Sequence, residues 1–200
     1  MTKHVFWDKQ PVPQYNEKIS QIGPRLILSK QKTSHVPSTL PKGLEWSPFD
    51  VYSPNDLQEL VSLLKHHYIE SDDGNLHLIY NSNFIQWALT PPSYDKKWHV
   101  AIRSESGELV AFMSAIPARI VCDGINDTLP LINFLCVHLN FRQKRLTPLL
   151  IKETVRQVEL SGRTTCCPPQ ALYTITKKLP SPICETNIFY RPLNVKNLTT

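Results

Sequence analysis

The chain has 200 residues, of which 41% are hydrophobic and 20% charged, a composition that supports one globular domain with its own core. Its net charge of +5 is too mild to favour a nucleic-acid-binding protein, and no apolar run approaches the roughly 20 residues of a membrane-spanning helix. Five cysteines without Cys-x-x-Cys spacing predict no metal site, and their odd number without a signal peptide favours reduced thiols in the cytoplasm.

The first 42 residues are predicted to be an arm. They contain many prolines and polar residues and no sustained hydrophobic period. The paired aromatic residues Phe6 and Trp7 are unusual in sequence that only solvates a chain, so we expect them to anchor the arm. Residues 1–42 are therefore expected to extend over a folded domain that comprises residues 43–200.

Two helices are predicted before the main sheet. Ser53 is followed by a proline and, at Asp56, by an acid in the position of a capping box, which is typical of a helix start. Apolar residues at helical spacing then continue to about Tyr68. A shorter helix is predicted over 83–89, ending before a Pro-Pro pair.

The second half of the chain predicts a sheet. A hairpin is expected over 98–104 and 109–121, and the dense apolar run within 129–138 predicts a strand buried on both faces. A helix over 147–160 and a further strand over 171–176 follow. This order predicts an α+β domain with a mixed, mostly antiparallel sheet flanked by helices.

A basic loop, residues 142–145, lies between the strand and the last helix. We expect Thr147 to cap that helix and Pro148 to be its first residue. Loop amides and first-turn N–H groups at a helix start bind phosphate, and three cations add to the attraction: Arg142, Lys144 and Arg145. The pattern indicates a compact anionic cofactor.

Segments along almost the whole chain resemble, in order, those of the glycylpeptide N-tetradecanoyltransferase (N-myristoyltransferase) family. The most specific is Asn-Phe-Leu-Cys-Val-His at 133–138, followed by the basic loop. The others are residues 6–13, 40–46, 87–92, 98–99, 114–118 and 190–194. The resemblance implies a fold of the GCN5-related N-acetyltransferase type and transfer of a myristoyl group from myristoyl-CoA to the N-terminal glycine of peptides and nascent proteins.

The resemblance also implies the residues of the acyl-CoA site. The arm, the strand, and the loop with the helix start would each contribute: His4, Val5, Phe6 and Trp7; Leu135, Cys136 and Val137; Arg142, Gln143, Lys144, Arg145, Leu146 and Thr147. The backbone N–H groups of Phe134 and Leu135 would form the oxyanion hole. Because the glycine amine is itself the nucleophile, we interpret Cys136 as a packing residue and His138 as structural.

The implied peptide site has an acidic and an aromatic part. Its residues would be Glu70, Asp72, Asp73, Tyr80, Tyr173 and Thr174. The acids would recognise a basic residue of the substrate, although a solvated turn is the commoner fate of such a cluster. Leu76 and Leu78 stand where the family commonly has aromatic residues, which changes the expected groove.

Two departures from the family pattern leave alternatives open. Residues 163–169 are expected to be an insertion, and family members continue into a second domain that would supply most of the peptide groove. One alternative is therefore a truncated, catalytically weak or inactive acyl-CoA-binding module. The others are an acetyl-CoA-dependent transferase of the same fold and nucleic-acid binding through the basic loop, for which the sequence has no aromatic platform.

Overall fold

The structure, a computed structural model, describes residues 34–68, 79–122, 125–164 and 170–174, together with Asn187 and Phe189. Residues Gly23–Thr174 group into one compact unit, and Met1–Ile22 with Ile175–Thr200 into a second. All helices and strands of the described part belong to the first unit. These helices are too short or too polar to span a lipid bilayer.

The core of the domain is a five-stranded mixed sheet. Its strands, in both chain and spatial order, are β1 Leu44–Ser47, β2 His99–Ser104, β3 Leu109–Cys122, β4 Ile125–Val137 and β5 Leu172–Tyr173. The first three pairings are antiparallel and the last, between β4 and β5, is parallel. The predicted hairpin and the predicted mixed, mostly antiparallel sheet are confirmed.

Two strand predictions need correction. β1 is absent from the sequence-based prediction, because four residues between a Gly turn and a proline carry no readable period. β4 begins at Ile125 rather than 129, since the end of β3 continues to pair with it from Ala118↔Leu129 out to Cys122↔Ile125. Cross-strand pairing, and not apolar content, extends this hairpin.

Three α-helices flank the sheet: α1 Pro54–His67, α2 Ser82–Leu89 and α3 Leu146–Ser161. The Ser53 hydroxyl accepts a hydrogen bond from the N–H of Asp56, as predicted for the α1 cap. The reciprocal capping-box bond is not made, because the Asp56 carboxylate accepts from the N–H of Asp50 (2.9 Å) and pairs with Arg103 (2.9 Å).

The prediction for the start of α3 is wrong. Arg145, in a left-handed conformation (φ 54°, ψ 40°), precedes the helix, so Thr147 is its second residue and Pro148 its third. Proline is tolerated throughout a first turn, because those N–H groups have no partner within the helix. The Thr-Pro signal therefore marks the first turn without fixing its first residue.

Both faces of the sheet are covered. α1 and α2 pack with one core, to which β4 contributes Phe134 and Cys136. α3 packs with the other, to which β4 contributes Ile132 and Val137. The prediction that this strand is buried on both faces is confirmed.

Candidate active site

β4 contains a bulge. Ser114 of β3 pairs with Asn133 and Phe112 with Cys136, so Phe134 and Leu135 lie opposite one residue, Met113. Phe134 has φ 52°, a left-handed conformation that costs about 1–3 kcal/mol in a residue with a side chain. Such bulges turn the backbone out of the regular ladder. The two residues predicted as oxyanion-hole donors are those that the irregularity reorients.

A buried serine fixes the start of this bulge. The Ser114 hydroxyl donates a hydrogen bond to the carbonyl of Asn133 (2.9 Å), and Ser114 is completely buried. The hydroxyl thereby holds the last residue of β4 before the register shift. The sequence offered no signal for this role beyond a single polar residue inside an apolar strand.

The described pairing of β4 with β5 ends next to the bulge. Their parallel pairing consists of Leu131↔Leu172 and Ile132↔Tyr173. In the described part of the chain, the remainder of β4, residues 133–137, pairs with β3 alone. Among the described residues, the part of β4 that contains the bulge is therefore bounded by a neighbouring strand on one side, that of β3.

Aromatic side chains surround the bulge. The ring of Tyr80 lies edge-on to Phe134, with centroids 5.4 Å apart, and stacks on Phe84 at the same distance. Phe84 in turn contacts Trp87, a residue that is 73% exposed. The predicted peptide-site residue Tyr80 is therefore beside the bulge, at the inner end of an aromatic row that reaches the surface.

Tyr68 completes this group, although the sequence marked it only as the end of an amphipathic helix. Its ring centroid is 6.1 Å from that of Phe134 and 6.3 Å from that of Tyr80. Burial raises the pKa of Tyr68 to about 12, with a further contribution from the neighbouring Tyr80 and Tyr173. Burial also raises the pKa of Tyr173, which pairs with Ile132 just before the bulge.

Cys136 lies on the inner side of the site. It is 3% exposed, its Sγ donates a long hydrogen bond to the carbonyl of Leu63 (3.8 Å), and burial raises the thiol pKa to about 12. A neutral, buried thiol is a poor nucleophile. These contacts support the interpretation of Cys136 as a packing residue.

The basic loop forms the end of a short 3-10 helix, Leu139–Lys144, and its three cations have different surroundings. The Arg142 guanidinium donates to the carbonyls of His67 (2.7 Å, Nη2) and Val137 (3.3 Å, Nε), which joins the end of α1 to the end of β4. The Lys144 ammonium lies 5.0 Å from the Phe141 ring centroid. Arg142 thus has a structural task that Lys144 does not share.

His138 supports the same loop. Its Nδ1 accepts a hydrogen bond from the N–H of Asn140 (3.2 Å), and its ring packs against His67 with centroids 3.9 Å apart. It caps the 3-10 helix, in agreement with the structural role predicted for it.

The α3 N-terminus follows directly. No side chain caps it in the described structure, in contrast to α1 and α2, whose caps are Ser53 and Asn81. The Leu146 side chain is buried, so of this residue only the backbone is available to a ligand, while Gln143 and Arg145 are exposed. Uncapped first-turn amides beside exposed cations are suited to an anion.

Several predicted site residues lie outside the described part of the chain: His4, Val5, Phe6, Trp7, Glu70, Asp72 and Asp73. Thr174 is exposed just after β5. Of the expected insertion at 163–169, only Arg163 and Thr164 are described, and Arg163 donates to the carbonyl of Ser93 (2.6 Å). Of the predicted site residues, the structure thus places Tyr80 against Phe134 and Tyr173 beside Ile132, and the basic loop follows β4 directly.

A mixed, mostly antiparallel sheet with a bulge in β4, followed by a basic loop and a helix without a side-chain cap, indicates a domain of the GCN5-related N-acetyltransferase type. Residues 27–186 match the family model described as Myristoyl-CoA:protein N-myristoyltransferase, N-terminal domain, and the chain belongs to this family. The predicted family and fold class are confirmed.

The relatives agree with this assignment. The chain is 40% identical over 196 residues to a glycylpeptide N-tetradecanoyltransferase of Dictyostelium discoideum, and the match covers 98% of this chain and 46% of the relative. A Schizosaccharomyces pombe relative of the same name is 42% identical over 198 residues, covering 96% and 41%. The chain thus spans less than half the length of these curated relatives.

A solved structure gives the same result. Saccharomyces cerevisiae N-myristoyltransferase with bound myristoyl-CoA is 39% identical and superposes with a TM-score of 0.78, covering 91% of this chain and 42% of that one.

Proposed function

We propose that this chain binds myristoyl-CoA and transfers the myristoyl group to the N-terminal glycine amine of proteins, nascent chains included. The observation that carries the proposal is the bulge at Phe134 and Leu135, between the aromatic group and the basic loop. Membership of the family and the myristoyl-CoA bound to the yeast relative support it. The reduced-thiol composition supports a cytoplasmic location.

The chemistry needs orientation and charge stabilisation. The glycine nitrogen attacks the thioester carbon, the C–S bond breaks, and CoA leaves as a thiolate that takes up the proton the amine loses. Negative charge develops on the carbonyl oxygen, to which the N–H groups of Phe134 and Leu135 would donate. Each such donor typically lowers a barrier by about 3–4 kcal/mol. Because the bulge is already formed, no reorganisation is required during the reaction.

The cofactor would lie across three elements. Gln143, Lys144 and Arg145, with the amides of Leu146 and Thr147, would hold its phosphates, as cations and helix-terminal N–H groups do in general. Arg142 would hold the loop in place and add charge. The acyl chain would enter beside β4 just after its pairing with β5 ends, lined by Leu135, Cys136 and Val137, and the resemblance assigns its other wall to His4, Val5, Phe6 and Trp7 in the arm 1–42.

The peptide would approach over the aromatic group. Tyr80 packs edge-on against Phe134, Tyr173 pairs with Ile132 just before the bulge, and Thr174 follows Tyr173 at the surface. Glu70, Asp72 and Asp73 would receive a basic residue of the substrate. We propose residues 1–42 as an arm that contributes to the acyl-CoA site and residues 43–200 as the N-terminal domain of the family.

Calorimetric titration with myristoyl-CoA tests the cofactor half of the proposal. The informative variant is Lys144→Ala with Arg145→Ala, which leaves the Arg142 bridge intact. The matched control, Lys96→Ala with Lys97→Ala, removes the same charge from exposed positions outside the loop. We expect binding by the wild type and the control, and a Kd raised at least about tenfold in the loop variant, since charge-assisted hydrogen bonds contribute roughly 1.5–3 kcal/mol. No binding by the folded wild type, or an equal loss in the control, would contradict the proposal.

Mass spectrometry of a glycine-initiated peptide incubated with enzyme and myristoyl-CoA tests the transfer half. The proposal predicts a myristoylated product, and none from the same peptide with an acetylated glycine. Tight cofactor binding without any product would instead identify an acyl-CoA-binding module.

A further inference from the structure

The carbonyl that Ser114 holds belongs to the peptide group that contains one of the two proposed oxyanion donors. The Ser114 hydroxyl donates to the Asn133 carbonyl oxygen over 2.9 Å. A peptide group is planar, so the Asn133 carbonyl and the Phe134 N–H turn as one unit, and in the trans form they point in opposite directions. A bond that fixes this carbonyl therefore also fixes the N–H, on the side away from Ser114.

The backbone conformation of Phe134 favours rotation of this peptide group. The group turns about two torsions, one of which is the φ of Phe134. That φ is 52°, a value that a residue with a side chain keeps only where its surroundings impose it. Rotation toward negative φ would release the strain and turn the N–H out of its present direction. The hydrogen bond from Ser114 opposes that rotation.

Ser114 is well placed to hold the group still. It lies on β3, the central strand of the sheet, between His99 of β2 and Asn133 of β4. Ser114 is completely buried and His99 is 3% exposed, so water does not compete for the hydroxyl. A hydrogen bond is stronger in such an environment, and donation to a carbonyl polarises the peptide group. The same bond thus aims the Phe134 N–H and makes it a better donor.

We propose that Ser114 is a positioning residue for acyl transfer: through the Asn133 carbonyl it sets the direction and the donor strength of the Phe134 N–H. The inference rests on the proposed function, in which that N–H receives the negative charge of the thioester oxygen. Because this charge grows as the amine attacks, the contribution of Ser114 should appear in the chemical step rather than in binding.

Steady-state kinetics of myristoyl transfer to a glycine-initiated peptide test this role. The variants are Ser114→Ala, Ser114→Thr, which keeps the hydroxyl, and Ser161→Ala. The last is the matched control, because the Ser161 hydroxyl also donates to a backbone carbonyl, that of Val158 (2.6 Å), at the end of α3.

We expect kcat to fall about tenfold in Ser114→Ala, less than the roughly 100-fold lost when an oxyanion donor is removed, because the N–H is displaced and not deleted. The KM for myristoyl-CoA should stay within about a factor of two, since the bond acts in the transition state. Ser114→Thr and Ser161→Ala should keep kcat within about a factor of two of wild type.

NMR of the isotope-labelled, unliganded protein checks the bond itself. Loss of a hydrogen bond to a carbonyl changes the shielding of the whole peptide group. The Asn133 carbonyl carbon and the Phe134 amide nitrogen should therefore move upfield in Ser114→Ala and keep their wild-type positions in Ser161→Ala.

The outcomes separate this inference from the proposed function. An unchanged kcat in Ser114→Ala, a loss that appears only as a higher KM, or an equal loss in Ser114→Thr or Ser161→Ala would overturn the inference. Unchanged Asn133 and Phe134 resonances in Ser114→Ala would overturn it without any activity measurement. A wild type that neither binds myristoyl-CoA nor forms product would instead contradict the proposed function, and the spectra would still decide whether Ser114 holds this peptide group.

Discussion

The two halves of β4 differ in how they pair with β3. From Ile125 to Asn133 each residue pairs with one residue of β3, whereas Phe134 and Leu135 share Met113 and Phe134 adopts φ 52°. The regular half contributes stability through pairing and packing. The irregular half gives up about 1–3 kcal/mol of backbone preference at Phe134 and places two residues opposite one. Within one strand, support of the fold and presentation of the site are separated by a single register shift.

Truncation of the regular half should produce the largest loss. Ile132 is 6% exposed in the core beneath α3, so Ile132→Ala should lower the free energy of unfolding by about 2–5 kcal/mol. Ile132→Val, the control, should cost only about 0.5–1.5 kcal/mol. Denaturant unfolding measures both, and a loss in Ile132→Ala below that of the valine variant would show that this half is not the stabilising one.

Acid should lower the free energy of unfolding through His99, which lies in the regularly paired strand β2. His99, the first residue of β2, is buried with Nε2 3.0 Å from the carbonyl of Leu89, and burial lowers its pKa to about 4. The unfolded state, with an ordinary pKa near 6.5, then binds the proton more readily, so stability present above pH 6.5 is lost as the pH falls toward 4, by roughly 2–3 kcal/mol.

Urea unfolding at pH 7.5 and 4.5 measures this dependence, with His99→Gln as the variant that cannot titrate. The difference between the two pH values should shrink in the variant. An equal pH dependence in both proteins would place the acid sensitivity elsewhere.

Relative to alanine, a glycine substitution should raise stability in the irregular half of β4 and lower it in the regular half. At Phe134 the left-handed backbone favours glycine, so Phe134→Gly should be more stable than Phe134→Ala by about 1 kcal/mol. At Ile132, in ordinary strand geometry, the glycine variant should be less stable than the alanine variant by about 0.5–1 kcal/mol. Thermal unfolding of the four variants measures both differences. If glycine is more stable than alanine at both positions, or less stable at both, the proposed difference between the two halves is contradicted.

Two cations of the basic loop, Arg142 and Lys144, should also differ in their contribution to stability. These are the smallest of the predicted effects. Arg142→Lys loses the two-carbonyl bridge between α1 and β4, so stability should fall by about 1 kcal/mol. Lys144→Ala should stay within about 0.5 kcal/mol of wild type, because its side chain is exposed. Unfolding midpoints that respond equally would contradict separate roles for the two cations.

The elements that could be predicted from the sequence are those that depend on hydrophobic periodicity and composition. Apolar spacing located α1, α2, the hairpin and both covered faces of β4, and the ordered family segments predicted the fold. The bulge could not be read, because Ile132 to Val137 is apolar at all positions but Asn133 and therefore hides a slip in alternation. Arg145 was missed as the residue before α3, since arginine has no preference for a left-handed conformation.

Contacts between residues that are distant in the sequence could not be predicted either. The Tyr68 ring meets Phe134, and the Ser114 hydroxyl meets Asn133, only after the chain has folded. Predicted residues that could be placed by local sequence, such as Cys136 and His138, have the packing and structural roles expected of them.

The central claim is that the bulged N–H groups receive the acyl oxygen. Its most direct test is the backbone amide NMR spectrum of the isotope-labelled protein, recorded free, with myristoyl-CoA and with S-tetradecyl-CoA. The account predicts that the amide protons of Phe134 and Leu135 move downfield with the thioester but not with the thioether, while those of Leu131 and Ile132 respond alike to both. Equal shifts with the two ligands at Phe134 and Leu135, or none with either bound, would contradict it.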